Sequence, residues 1–340
     1  MKRLLHEFSQ QDTWKWFEDA GVPLVLQEDH CVFPQSQDAM DIVRALLRRM
    51  EGVNLRLRTP VGEVASDGAG RLTVDGEPYD AVVVATGGAP KGLPMLETLG
   101  LEWVPTVPSL FTFSVRDGGL RTLMGLVADA SVALPGTSFK AEGPLLITDW
   151  GFSGPAVLKL SSYAARHLHD AGYKAPLSVN WLALNEAETR VLLQETAATN
   201  ARKLVSNAPV GGLQARLWSY LVRKAGLRPD IRWAEVGSKG TNRLVALLTQ
   251  DTDASEGKTR FREEFVTCGG VSLSNVDPNT LECKKHPGLH FAGEVLDVDA
   301  ITGGFNLQAA WTTGYVVAKA IAAVSMGTNA MPQFTAKSRS

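Results

Sequence analysis

Two stretches of this chain end a continuous apolar run on a cluster of glycines, and they constrain the fold more than anything else in it. The first is Val82-Val83-Val84-Ala85-Thr86-Gly87-Gly88. The second is Leu289-His290-Phe291-Ala292-Gly293-Glu294-Val295-Leu296-Asp297, followed by Ile301-Thr302-Gly303-Gly304-Phe305-Asn306. Short apolar runs of this kind fit strands buried on both faces of a sheet. Glycine at the end of such a strand lets backbone N–H groups approach a ligand at the carboxyl edge, where open α/β sheets bind. A lone Ala-Thr-Gly-Gly string also serves merely to turn a corner. The second stretch adds Glu294, whose carboxylate can accept hydrogen bonds from sugar-like hydroxyls. Its glycine pair introduces a helix, whose first N–H groups are free for an electron-rich ligand atom. Leu307, Ala310, Trp311, Gly314, Val317, Ala318 and Ile321 form the apolar stripe of that helix. An ordinary strand-turn-helix explains the stripe but not glycine, acid and double glycine at one helix mouth.

Around these runs the texture of the chain changes. Ser9 with Asp12 predicts a capped helix that presents Trp14 and Phe17 and stops at Gly21-Val22-Pro23. Ser36 can cap a second helix, with Met40, Val43, Leu46, Leu47 and Met50 as its apolar stripe. Val53-Leu55-Leu57 alternates like a strand up to Pro60, and Leu72-Thr73-Val74, Asp75-Gly76 and the segment from Tyr79 predict a hairpin. From about Val104 to Trp181 come short strand-like pieces such as Leu110-Phe111-Thr112-Phe113 and Leu145-Leu146-Ile147-Thr148, then helix-like, more charged sequence from about Asn185 to Asp251. The C-terminal part returns to the α/β texture of residues 53–88, so 53–88 and 271–322 are expected in one domain, with the middle inserted into it. The expected division is a discontinuous domain of residues 1–103 plus 267–325, an inserted β domain 104–184, a helical subdomain 185–266 and a flexible tail 326–340.

Composition narrows the class. At 340 residues, 44% apolar and 21% charged, the chain suggests about two globular domains. A net charge of -2 gives no electrostatic footprint for nucleic acid or an anionic membrane surface. No apolar run approaches the ~20 residues of a spanning helix. Met1-Lys2-Arg3 leads into Glu7, Gln10, Gln11 and Asp12 rather than an apolar core, so no secretory signal is expected. Cys31, Cys268 and Cys283 are far apart, with no Cys-x-x-Cys, which argues against a disulfide framework or a zinc site and fits a reducing cytoplasm. A small-molecule substrate is expected, with no metal, nucleic acid or membrane partner.

Phe291-Ala292-Gly293-Glu294-Val295-Leu296-Asp297 with Gly303-Gly304-Phe305-Asn306 resembles the C-terminal FAD signature of the BaiN-like (YhiN-type, aminoacetone-oxidase-like) flavoproteins. Val266-Thr267-Cys268-Gly269-Gly270-Val271, Ser153-Gly154-Pro155-Ala156-Val157-Leu158 and Val107-Pro108-Ser109-Leu110-Phe111-Thr112-Phe113 resemble the same family. These matches run in order from about Phe8 to Ile321. The resemblance implies an α/β, FAD-binding two-dinucleotide-binding-type Rossmann-like domain, an inserted mainly β domain and a helical subdomain. It also implies an FAD-dependent oxidoreductase, with NAD(P)H as electron donor.

The same resemblance implies residue roles. Gly293 and Glu294, with Asp297 beyond them, would sit at the ribityl and pyrophosphate end. Gly303, Gly304, Phe305 and Asn306 would face the flavin pyrimidine edge, Val61 would meet the adenine, and Ala85, Thr86, Gly87 and Gly88 would line the cofactor near the sheet edge. Members open with a strand, a Gly-x-Gly-x-x-Gly turn and a helix. Met1 already corresponds to a point beyond them, so weak FAD binding, or a truncated non-catalytic remnant, is the alternative expectation. Asp149 stands where relatives usually have His, and Ala300 replaces a common glycine. Cys268 is a candidate redox or substrate-contacting thiol, although a thiol without a basic neighbour is more often a small buried residue. His286 and His290, the Arg44-Arg48-Arg49 edge, and Trp150, Trp181, Trp218 and Trp311 read as surface, strand or packing residues. No catalytic acid or base is identified.

Overall fold

The chain leaves one folding unit at Thr106 and re-enters it at Val266; residues between, Val107–Phe265, form a second unit. The computed structural model describes residues 1–28, 30–67, 70–88, 93–115, 117–258 and 266–328. The expected tail falls outside them beyond Thr328.

In the first unit the helix Gln10–Asp19 starts on a capping box, with the Asp12 N–H donating to Ser9 Oγ at 3.3 Å and the Ser9 N–H to Asp12 Oδ2 at 2.8 Å. Its one buried residue, Phe17, packs with Val22, Ala45 and, edge-on, Trp311. The helix Met40–Arg49 begins differently from expectation. Ser36 spends its hydroxyl on Asp41 Oδ2 at 2.6 Å, and the Met40 N–H is taken by Asp38 Oδ1 at 2.9 Å. The expected stripe also turns outward: Ala45 is buried, while Met40, Val43, Leu47 and Met50 are exposed. Residues 53–57 form no strand, and Leu55 and Leu57 are 53% and 73% exposed. Alternation predicts a strand only where a neighbour satisfies its backbone and one face is covered.

The hairpin forms as its turn chemistry demands, with positive φ at both Asp75 and Gly76 between Leu72–Val74 and Glu77–Tyr79. A third strand, Val64–Ser66, joins antiparallel to Leu72–Val74. Beyond it, Val82–Val84 pairs in parallel with Leu289–Phe291, Val82 opposite Leu289 and Val84 opposite Phe291. The two glycine-ended runs therefore lie side by side with both carboxyl ends at one edge. Only Val84 of the first run is buried; Val83 is 44% exposed, so this strand is covered on one face rather than two.

The second unit is a closed six-stranded antiparallel barrel in the order Lys140–Ile147, Gly151–Ser153, Phe113–Val115, Asp251–Lys258, Pro176–Asn180, Val127–Ala133. Inward positions Phe113, Val132, Leu145, Ile147, Leu177 and Val179 fill it. Helices Pro155–Tyr163, Glu186–Thr199, Ala215–Lys224 and Gly237–Thr249 pack around it. Gly154 has φ +92, and a Cβ there would meet Leu146 N and Pro144 O at 2.9 Å. The Ser153-Gly154-Pro155 string is thus a strand-to-helix corner with Pro155 in the first helical turn. The run 185–266 is not wholly helical. Asp251–Lys258 closes the barrel between Pro176–Asn180 and Phe113–Val115, because an edge strand left open there would expose its ladder.

Candidate functional site

The site grows out of the two parallel strand ends. Past Phe291, the Ala292 N–H donates to Val84 O at 3.1 Å, carrying the ladder to the sheet edge. Gly293 then turns with φ +75, and its N–H donates to Thr313 Oγ1 at 2.8 Å, which fastens the turn to the C-terminal helix Phe305–Thr328. A short 3-10 turn, Gly293–Val295, points Glu294 at the strand Val266–Val271, where Glu294 Oε1 accepts the Thr267 N–H at 2.6 Å. Gly88 sits against the same pair. A Cβ on it would overlap the Thr267 side chain and come within 2.8 Å of Glu294 Oε1. Glu294 Oε2 has no hydrogen-bond partner among the described residues.

Three chain segments far apart in sequence thus converge on one carboxylate. Asp297 is tied to the same strand through its N–H, which donates to Val271 O at 2.9 Å. At the helix mouth Gly303 and Gly304 have φ +121 and +80 and are exposed, as is Phe305. The helix therefore opens toward solvent with its first N–H groups lacking intrahelical acceptors. Asn306 turns away from that mouth. Its Oδ1 accepts the Ala300 N–H and its Nδ2 donates to Ala300 O, both at 2.9 Å, clamping the preceding loop. Ala300 is not among the residues with positive φ, so alanine in place of glycine strains nothing.

Of the sequence-derived candidates, Gly88 and Glu294 meet directly, and Gly293 is the turn residue that precedes Glu294. Ala85 and Thr86 are exposed just past Val84, and Gly87 has φ +76 with open space where a side chain would stand. Val61 is not tied to this cluster. It is exposed in a loop whose Gly62 and Glu63 N–H groups donate to Asp75 Oδ1 at 2.8 and 2.9 Å. Thr267 and Thr313 are the residues that sequence reasoning passed over as site groups. Each is buried, and each holds the site through one backbone hydrogen bond. Cys268 is half-buried, His290 is buried in its strand, and His286 Nε2 lies 2.8 Å from Leu99 O. Asp149 is exposed in the turn before Gly151.

A second polar constellation, also unforeseen, lies in the barrel unit. Lys224 Nζ reaches Asp251 Oδ1 at 2.8 Å, Asp253 Oδ2 at 3.0 Å and Asp117 Oδ2 at 3.4 Å. Tyr220 donates to Asp117, and Trp181 Nε1 donates to Asp251 Oδ2 at 2.9 Å. Burial raises the Asp251 pKa above the usual carboxylate range despite Lys224. Asp117 also feels burial, but the Tyr220 hydroxyl, the Gly119 N–H and Lys224 outweigh it and hold its carboxyl lower than usual. Among the described residues no group of three or more His, Cys, Asp or Glu could hold a metal ion, and no helix is long and apolar enough to cross a membrane.

The chain is 31% identical over 301 residues to the ribosomal RNA dihydrouridine synthase of Escherichia coli, covering 83% of this chain and 72% of the relative. It is 27% identical over 338 residues to the 3-dehydro-bile acid delta(4,6)-reductase of Clostridium scindens, covering 94% and 82%. To the ribosomal RNA dihydrouridine synthase of Haemophilus influenzae it is 29% identical over 258 residues, covering 71% and 60%. The family model for the HI0933-like protein Rossmann domain matches residues 1–320. Family and reductase relative together support a flavoprotein oxidoreductase. The chain belongs to the HI0933-like Rossmann-domain family.

Proposed function

We propose that this chain is an FAD-dependent, NAD(P)H-linked reductase of the cytoplasm, acting on a carbon–carbon double bond conjugated to a carbonyl in a small organic molecule. The observation that carries the reading is the convergence of Gly88, Thr267 and Glu294 on the shared carboxyl edge of two parallel strands, with the turn at Gly293 fastened to the long helix Phe305–Thr328. The residues present fit the ribityl and ring end of FAD. Glu294 keeps one carboxylate oxygen for a ligand hydroxyl, and exposed Gly303 and Gly304 leave the helix N-terminus accessible to an electron-rich ring atom. The chemistry FAD supplies is two-electron transfer between a reduced nicotinamide and an electron-poor carbon.

The protein's own part is binding and orientation. Thr267 fixes the Glu294 carboxylate, Thr313 fixes the turn at Gly293, and Asn306 fixes the loop leading to the glycine pair. The relatives' names support the substrate class. Dihydrouridine is uridine with one double bond saturated, and a delta(4,6)-reductase is named for reduction at such bonds. The net charge of -2 favours a small substrate over a ribosomal RNA strand.

The test reconstitutes the full chain with FAD, records its absorption spectrum and follows NADH and NADPH oxidation with a set of enones. A bound-flavin spectrum and enone-dependent oxidation are expected. No flavin spectrum, or oxidation that no enone stimulates, would sink the reading. Dihydrouridine formed in ribosomal RNA with no turnover of small enones would overturn its substrate half.

A further inference from the structure

We propose that the barrel unit carries a binding site, separate from the candidate flavin site, for a small neutral molecule bearing several hydroxyl groups, of the sugar or ribose class. The site is a cavity of about 320 Å³ on the outer wall of the barrel, within the range of about 300–1,000 Å³ usual for small-molecule pockets.

Strand alternation builds it. On Val127–Ala133 the even-numbered Ala130 and Val132 point into the barrel, so Ser131 and Ala133 point out. On Pro176–Asn180, Leu177 and Val179 point in, so Ser178 and Asn180 point out. The register places Asn180 opposite Ser131 and Ser178 opposite Ala133, which gathers these groups into one patch. The loop into the helix Glu186–Thr199 and the end of the helix Gly237–Thr249, continued by Gln250, complete the cavity.

Two observations mark it as a ligand site rather than a surface dent. Ser131 and Ser178 are only 3% and 7% exposed, both line the cavity, and neither hydroxyl has a hydrogen-bond partner among the described residues. Each oxygen still opens to solvent, so its hydrogen bonds go to water that a ligand hydroxyl can displace. The rim, by contrast, is already fixed. Asn180 Nδ2 donates to Leu184 O at 2.7 Å, and Asn180 Oδ1 accepts the Leu182 N–H at 3.2 Å, so the loop is held before anything binds.

The lining also selects the class. Lys140 Nζ is engaged by Glu142 at 2.8 Å, and Glu186 adds a carboxylate to the lining, so among the described residues the cavity offers no free cation to hold an anion. Ala133, Pro135 and Leu184 add an apolar surface. A sugar ring matches both halves, with hydroxyls at its edge and C–H groups on its face.

The test is calorimetric titration and ligand-observed NMR on the full chain, with D-glucose, D-ribose and uridine as probes and sulfate and acetate as charged controls. At least one hydroxylated probe should bind one-to-one with little dependence on salt. Preference for glucose assigns a free sugar, and preference for uridine assigns the ribose of a nucleoside. Replacing both serines (Ser131→Ala with Ser178→Ala) should weaken binding roughly thirty-fold, the loss expected of two neutral hydrogen bonds, with thermal unfolding unchanged. Ala133→Trp, which fills the cavity from the outer wall, should abolish it. The proposal is overturned if none of the three probes binds, if sulfate or acetate binds more tightly than all of them, or if the Ala133→Trp protein binds as the wild type does.

Discussion

Gly87 and Gly88 are neighbours that need glycine for different reasons, and their substitution separates the reasons. Gly87 has φ +76 and open space at its Cβ position, so Gly87→Ala meets only backbone strain, about 1–2 kcal/mol. Gly88 has no such strain. A methyl group there strikes the Thr267 side chain and the Glu294 carboxylate, and buried Thr267 has little room to yield. Gly88→Ala should therefore cost more flavin affinity than Gly87→Ala, because it dislodges the carboxylate that the cofactor is proposed to meet. Glu294→Ala removes a charge-assisted hydrogen bond worth about 1.5–3 kcal/mol and should lower FAD affinity roughly ten- to hundredfold. Titrating FAD into the three variants measures all of this. Equal losses at Gly87 and Gly88, or unchanged affinity for Glu294→Ala, would detach this corner from cofactor binding. The glycines and the acid were legible because strand-end chemistry confines them to few residue types. Thr267 was not, since its contribution is a backbone N–H that any residue but proline supplies.

The helix Phe305–Thr328 shows how a residue can be buried for a polar reason. Hydropathy places its inner stripe at Leu307, Ala310, Trp311, Gly314, Val317, Ala318 and Ile321, yet Leu307 is 64% exposed and Thr312 and Thr313 are buried. Their hydroxyls explain the difference. Thr312 Oγ1 donates to Phe8 O at 2.8 Å, and Thr313 Oγ1 donates to Ala309 O at 2.7 Å while accepting the Gly293 N–H. Both threonines can go inside because the backbone satisfies them. Thr313→Val keeps the shape and removes the acceptor, leaving the Gly293 N–H unpaired at a cost of about 1–3 kcal/mol. Amide exchange at Gly293 should speed up in Thr313→Val and stay slow in Thr313→Ser; equal rates in both would show that the hydroxyl does not hold the turn. The same logic marks what the sequence could reveal of the elements. The Ser9–Asp12 cap and the Asp75-Gly76 turn are local, self-satisfying patterns, and both stand. Val53–Leu57 and the outward stripe of Met40–Arg49 depended on partners elsewhere, which alternation alone cannot supply. The strand Asp251–Lys258, polar in sequence, is recruited by barrel closure rather than by its own composition.

The two units are built on different economies. In the first, sheets of two and three strands are fastened by individual hydrogen bonds; in the second, a closed barrel carries a large shared core and one buried charge network. That network makes the barrel unit's stability depend on pH in a stated direction. Burial works against the charge of Lys224, but Asp251 and Asp253 outweigh it and hold the ammonium above the ordinary lysine value. Its stabilising contribution is therefore complete below about pH 10 and is lost only as pH rises through the folded-state value. Asp251 runs the other way. Burial raises its pKa, so its ionisation weakens the fold above the usual carboxylate range, and Lys224 limits that loss. Lys224→Met leaves three carboxylates facing one another, one of them buried, and should destabilise this unit by about 3–5 kcal/mol near neutral pH. Near pH 4 the carboxylates take up protons, the repulsion and the buried charge disappear together, and most of the deficit should vanish. Thermal unfolding of the wild type and Lys224→Met followed by circular dichroism at the two pH values decides it. A deficit as large in acid as at neutrality would mean that Lys224 acts through packing of its aliphatic stem and not through its charge.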